Sequence, residues 1–109
     1  MSKFTHLTPA YGIATGDYDF PAMQVEGQST IAVELSGLDA ADTSIELHQS
    51  IDANAWGLVP ASKKVLAVGQ QSHQWNISGL VPGSFLRVGL TKGSATAGTI
   101  NAIKMLSNG

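Results

Sequence analysis

The stretch HQSIDANAW, residues 48–56, spaces an acid, an amide and an indole two residues apart, as Asp52, Asn54 and Trp56. A carboxylate and a carboxamide can hydrogen-bond sugar hydroxyls while an indole stacks on the ring, and oxygen donors of this kind also suit calcium. The same residues suit a plain turn: Asp and Asn side chains bond their own backbone, and Asn tolerates the left-handed conformation. Asp52, Asn54 and Trp56 are therefore a candidate ligand loop, against the simpler account in which Asp52 and Asn54 shape a turn and Trp56 anchors the returning strand.

Other residue types with chemical potential are scattered. His6, His48 and His73 lie far apart and form no metal motif. Serines are plentiful, but no G-x-S-x-G elbow presents one as a nucleophile. Most of the carboxylates fall in predicted turns or on outward strand faces, with Glu34 and Glu46 expected side by side toward solvent. No catalytic residue, metal or cofactor is expected, and the chain is not read as an enzyme. The sequon NIS at residues 76–78 lacks a secretory signal to give it meaning.

The elements that position these residues belong to one domain, because 109 residues suffice for a single core. Hydrophobic residues at 43% against 13% charged exclude a disordered chain, and the apolar runs are too short to cross a membrane. A net charge of −2, without a basic cluster, argues against nucleic acid and against membrane binding. The absence of cysteine excludes disulfides and thiolate chemistry. The opening MSKFTHLTPAYG has no apolar signal region, so synthesis in a cytoplasm without signal-peptide export is expected. So low a charge leaves a surface of small and neutral polar residues, which favours packing against neighbours in an assembly.

Alternation of period two predicts strands. STIAVELSG sets Ile31, Val33 and Leu35 on one face; TSIELHQS does the same with Ile45 and Leu47. AWGLVP and KKVLAV are short strands about a turn at Pro60, Ala61 and Ser62. SHQWNISGL turns His73, Trp75 and Ile77 one way, with Trp75 in the core, and GSFLRVGLT turns Leu86, Val88 and Leu90 one way. GTINAIKML is the last strand, its inward face undecided because Ile100 and Ile103 differ in parity. With no helical periodicity between them, these strands predict an all-β fold, an antiparallel β-sandwich or jelly roll in one domain, at residues 29–109. Residues 1–28 are read as an N-terminal arm or edge hairpin. YGIAT and AMQVE are the strand-like pieces within it, and TGDYDFP between them is a loop.

LHQSIDANAWGLVP resembles the LQxSxDGxxWxxxP hairpin of small β-sandwich proteins from tailed-phage virions and, more distantly, discoidin-like binding modules. The resemblance continues through HQWNISGLVPGSFLRVGLTKGSATAGTINA and covers residues 31–103. Ala53 stands where that family has glycine, so the positive-φ position is expected to shift to Asn54 or the turn to change type.

The resemblance implies a virion structural protein, most specifically a capsid decoration (cement) protein. Such a protein is made in the host cytoplasm, sits on the capsid surface as a homotrimer, and binds the major capsid protein by non-covalent contacts. The alternatives are a head or tail fibre subunit and a carbohydrate-binding or adhesion module that takes a host surface glycan. Phe4, Tyr11, Tyr18 and Phe20 are expected to supply capsid or subunit contacts from the arm. Deleting residues 1–20 is then expected to abolish particle binding and leave a folded domain. The other account of the arm is that its strand-like pieces complete the sandwich.

Overall fold

A computed structural model of the protein describes residues 2–108. The strands are β1 (Ser2–Leu7), β2 (Tyr11–Gly12), β3 (Tyr18–Asp19), β4 (Met23–Gln24), β5 (Gln28–Ser36), β6 (Ser44–Ser50), β7 (Gly57–Leu58), β8 (Lys64–Val65), β9 (Ser72–Ile77), β10 (Phe85–Thr91) and β11 (Thr99–Asn108). One short 3₁₀ turn, Ile13–Thr15, joins β2 to β3. Among the described residues no helix is long and apolar enough to cross a membrane.

The strands form two antiparallel sheets packed face to face. In the first, β1 and β2 lie in line along one side of β11, and β5 and then β9 follow on its other side. In the second, β3 and β4 lie in line along β10, followed by β6 and then by β7 and β8 in line. Taking collinear pairs as single rows and numbering the rows along the chain, the spatial orders are 1-8-3-6 and 2-7-4-5. That is the jelly-roll arrangement, within the all-β sandwich that the alternation predicts.

The alternating residues fill the space between the sheets. Ile31, Val33, Ile45, Leu47, Leu86 and Val88 are fully buried, and each such side chain contributes about 1.5–3 kcal/mol by leaving water. The parity conflict in β11 is resolved by a register shift between Ile100 and Ala102, where one extra residue lets Ile100 and Ile103 both face the core.

AWGLVP and KKVLAV are shorter strands than predicted, because Pro60 cannot donate to the ladder and the chain turns away, with Ala61 at φ 61°. The gap between β7 and β8 is bridged from β6: Leu47 accepts from the Val59 N–H at 2.9 Å and donates its own N–H to the Ser62 hydroxyl at 3.0 Å. Glu34 and Glu46 are not side by side. They lie on the outer faces of opposite sheets, Glu34 paired with Lys104 at 2.6 Å and Glu46 with His48 at 2.7 Å.

Residues 2–24 carry one edge row of each sheet: β1 and β2 of one, β3 and β4 of the other. Met1 and Gly109, the outer ends of the two stretches divided at residue 28, lie outside the described residues.

Candidate functional site

The candidate ligand loop follows β6. Asp52 Oδ1 accepts from the backbone N–H of Asn54 at 2.9 Å, from that of Ala55 at 3.1 Å and from the Ser50 hydroxyl at 2.9 Å. These donors, the Asn54 N–H foremost, hold its carboxyl below the ordinary range. Asp52 is thus committed to the turn. The positive-φ position has not moved to Asn54: Ala53 itself sits at φ 60°, since the Asp52 bonds to the following amides fix the turn whatever residue occupies that place. Asn54 is exposed.

Trp56 is half-buried on the outer face of the second sheet, with the Arg87 guanidinium 4.3 Å from its ring centroid. It therefore packs neither in the core nor beside Asp52 and Asn54 as a free platform. It leads instead to a polar cluster that crosses three strands. Arg87 on β10 donates Nε–H to His48 Nδ1 at 3.1 Å and reaches Asp19 on β3 with Nη2 at 3.2 Å. His48 on β6 places Nε2 2.7 Å from Glu46 Oε2. Nδ1 accepts from Arg87, so the proton sits on Nε2 and goes to the carboxylate. Both imidazole nitrogens are then engaged, and neither is available to draw a proton from a hydroxyl.

Gly89 makes this packing possible. A Cβ there would come within 2.6 Å of His48 Cε1 and 3.2 Å of Asp19 Oδ1, so glycine is what lets the imidazole approach β10 this closely. Above it opens a shallow depression of about 360 Å³ lined by Tyr18, Asp19, Glu46, His48, Gly89 and Thr91. The arrangement can hydrogen-bond a polar ligand.

The four aromatic residues of the N-terminal stretch divide sharply. Tyr11 and Tyr18 stack with centroids 4.6 Å apart, and Phe20 meets both edge-on at 5.6 and 5.0 Å. The Tyr11 hydroxyl donates to Gly16 O at 2.9 Å. This cluster joins β2 of one sheet to β3 of the other. Phe20 is only 1% exposed and is a core residue, not a surface contact, because it closes the space between the sheets. Tyr18 keeps an exposed edge. Phe4 alone projects freely, on the outer face of β1 opposite Leu106 and beside His6.

His73 is half-buried with its ring edge-on to Trp75 at 4.8 Å; burial, and then the Lys64 charge, push its pKa down. Trp75 is buried as predicted, and its indole N–H donates to Ser62 O at 2.7 Å. Among the described residues no group of three His, Asp or Glu is placed to hold a metal ion.

A second cluster, at one end of the sandwich, holds the loop between β10 and β11. Asp42 accepts from Ser94 N–H at 3.0 Å and from its hydroxyl at 2.8 Å. Asp39 accepts from Thr96 N–H at 3.0 Å, from the Thr96 hydroxyl and from Ala97 N–H at 3.2 Å, and Asp17 accepts from Lys92 N–H at 2.9 Å. Three acids from two separate segments fasten one loop. The Thr96 hydroxyl holds Asp39 below the ordinary carboxylate range, and the Ser94 N–H does so for Asp42.

Sequence reasoning missed Arg87 and Gly89 as partners of His48, and Ser62 as the link between β6 and β9. The available signals were a Glu46, His48 pair two apart on one outward strand face, and a glycine inside an otherwise regular strand.

No protein-family model matches the chain, and no curated protein matches it in sequence. Among solved structures, it is similar to the SPBc2 prophage-derived protein YomS, at 14% identity and a TM-score of 0.54, over 97% of this chain and 93% of that one. It is also similar to the Eiger TNF of S. frugiperda, at 12% identity and a TM-score of 0.46, over 79% of this chain and 62% of that one. The likeness to YomS is one of fold, and it runs nearly end to end.

Proposed function

We propose that the protein is a structural component of a phage virion and, most specifically, a capsid decoration protein. In this role it binds the major capsid protein on the capsid surface by non-covalent contacts and assembles as a homotrimer. The observation that carries this is the nearly complete fold likeness to a prophage-derived protein. The surface is of the kind such a role uses: few charges, a rigid jelly roll, and exposed Phe4 and Leu106 adjoining on one sheet face. Catalysis forms no part of this role.

The test is quantitative mass spectrometry of purified particles from the replicon that encodes the chain, with immunogold labelling. Stoichiometric recovery with label on the shell supports the proposal. Complete, infectious particles that lack the chain overturn it. Adding the purified protein to undecorated shells is expected to raise the temperature at which they open.

A second function, adhesion to a host surface glycan, is favoured by the depression lined by Tyr18, Glu46 and His48. In that case the ligand contacts are Tyr18, Glu46 and His48, and not Asp52. Glycan-array binding by the wild type and its loss in Tyr18→Ala would favour adhesion; no binding to any glycan removes it.

A further inference from the structure

We propose that the free edge of β9 and the groove beside it bind an extended acidic peptide segment, which adds as a fifth row to the β9 sheet. β9 is an outermost row, paired among the described residues only with β5. Leu35 N–H donates to Gln71 O at 2.9 Å, so residue 71 and, by alternation, residues 73, 75 and 77 spend their backbone groups on β5. Residues 72, 74 and 76 turn theirs outward. Ser72 O is taken by the Gln70 side chain at 2.9 Å, which leaves the amide and carbonyl groups of Gln74 and Asn76 free for a partner strand.

The other edge rows are guarded against such pairing. β2, β3, β4, β7 and β8 are each two residues long, and β1 carries Lys3 on the side that faces the other sheet. β9 runs six residues with no charge, no proline and no register shift. An unguarded edge of this length is a template for a further strand.

The chemistry of the groove selects the occupant. It measures about 460 Å³ between β9 and residues 60–64, and its lining includes Lys63, Lys64 and His73 but no carboxylate. Neither lysine makes an ion pair among the described residues. On a chain of net charge −2, two of the six basic residues thus stand together, without acids, beside the open edge. Side chains of an added strand alternate in direction, so a segment with carboxylates at every second position would set them all over Lys63 and Lys64 while its backbone pairs with Gln74 and Asn76. This inference concerns the edge itself and stands whether or not the protein belongs to a virion.

The probe is a ten-residue peptide alternating threonine and glutamate, compared with the same peptide carrying glutamine or lysine in place of glutamate. Calorimetry and amide hydrogen exchange of the full chain give the readout. The glutamate peptide is expected to bind at least about tenfold more tightly than the glutamine one, and the lysine one weakest. Bound glutamate peptide should slow exchange at the Gln74 and Asn76 amides and raise the His73 pKa. Lys63→Gln with Lys64→Gln, which leaves the ladder untouched, should remove the preference for glutamate; Gln74→Pro should remove binding. Equal binding of the three peptides, or binding without protection of Gln74 and Asn76, overturns the proposal. So does a dimer of the free protein that protects the same amides, because the edge then serves a second copy.

Discussion

The sandwich has two long open sides, closed in different ways. On one, the N-terminal stretch sends Tyr11, Tyr18 and Phe20 into a mutual aromatic cluster that bridges β2 and β3. On the other, Val59 and Leu66 are buried, the Trp75 indole donates to Ser62 O, and a groove remains beside β9. Phe20 is spent wholly on closure, and Tyr18 keeps only an edge to present to a partner. The β9 side keeps both an exposed backbone edge and lysines without an ion pair among the described residues, so it offers a partner a different chemistry from the aromatic side.

The largest test of that contrast is to delete residues 1–20. The deletion removes β1, β2, β3 and all three bridging aromatics, and bares the flanks of β10 and β11. The truncated chain is expected to lose cooperative unfolding and the dispersion of its amide NMR spectrum, in contrast to a dispensable arm. A sharp transition in the truncated chain would show that the aromatic side closes nothing. Phe20→Ala probes the same side by one residue and should cost about 3–5 kcal/mol by denaturant titration. A cost below about 1 kcal/mol would place Phe20 outside the core.

Trp75→Phe keeps most of the buried area on the other side and leaves Ser62 O without its donor. A loss of about 1–3 kcal/mol is expected, smaller than that of Phe20→Ala. The reverse order would mean that the β9 side is the better sealed of the two, and that its groove is not open to a strand.

Acid should separate the two sides by a different route. Asp39 and Asp42 are held below their ordinary range by donors on the loop between β10 and β11, and Asp17, next to the aromatic cluster, fastens the same loop. Carboxylates with lowered folded-state values contribute stability that is complete above about pH 4 and fades as pH falls through those values. Denaturant midpoints should therefore drop on acidification, and Asp39→Asn with Asp42→Asn should flatten the decline. An unchanged acid limb in the double variant would remove the loop from the account.

The inward faces were legible because alternation of period two needs only local chemistry: Ile31, Val33 and Leu35 could face the core in one register alone. The β11 bulge was legible as a conflict and not as a solution, since where an extra residue is absorbed depends on both neighbouring strands. The N-terminal rows were hidden because their strands are two residues long or pair with the far end of the chain, and no local period survives at that length. Of the candidate loop, the turn chemistry of Asp52 was readable. The destination of Trp56 was not, because Arg87 lies 31 residues further along the chain. The polar cluster depends throughout on which strands become neighbours.

The smallest expected effect concerns Ala53, in the turn that feeds β7 and, through it, the Ser62 wall of the open side. An alanine at φ 60° occupies the left-handed region, at a cost of about 1–2 kcal/mol that glycine would not bear. Glycine gives part of that back, because its unfolded chain is freer by about 0.4–1 kcal/mol. Ala53→Gly should therefore stabilise the protein by a few tenths to about 1 kcal/mol, seen as a higher denaturant midpoint at unchanged slope. The gain should be the same in a Phe20→Ala background, since Ala53 touches nothing in the aromatic cluster. If the two changes fail to add, the turn and the closed side are coupled through β6, and the sides are not the independent units that their different chemistry implies.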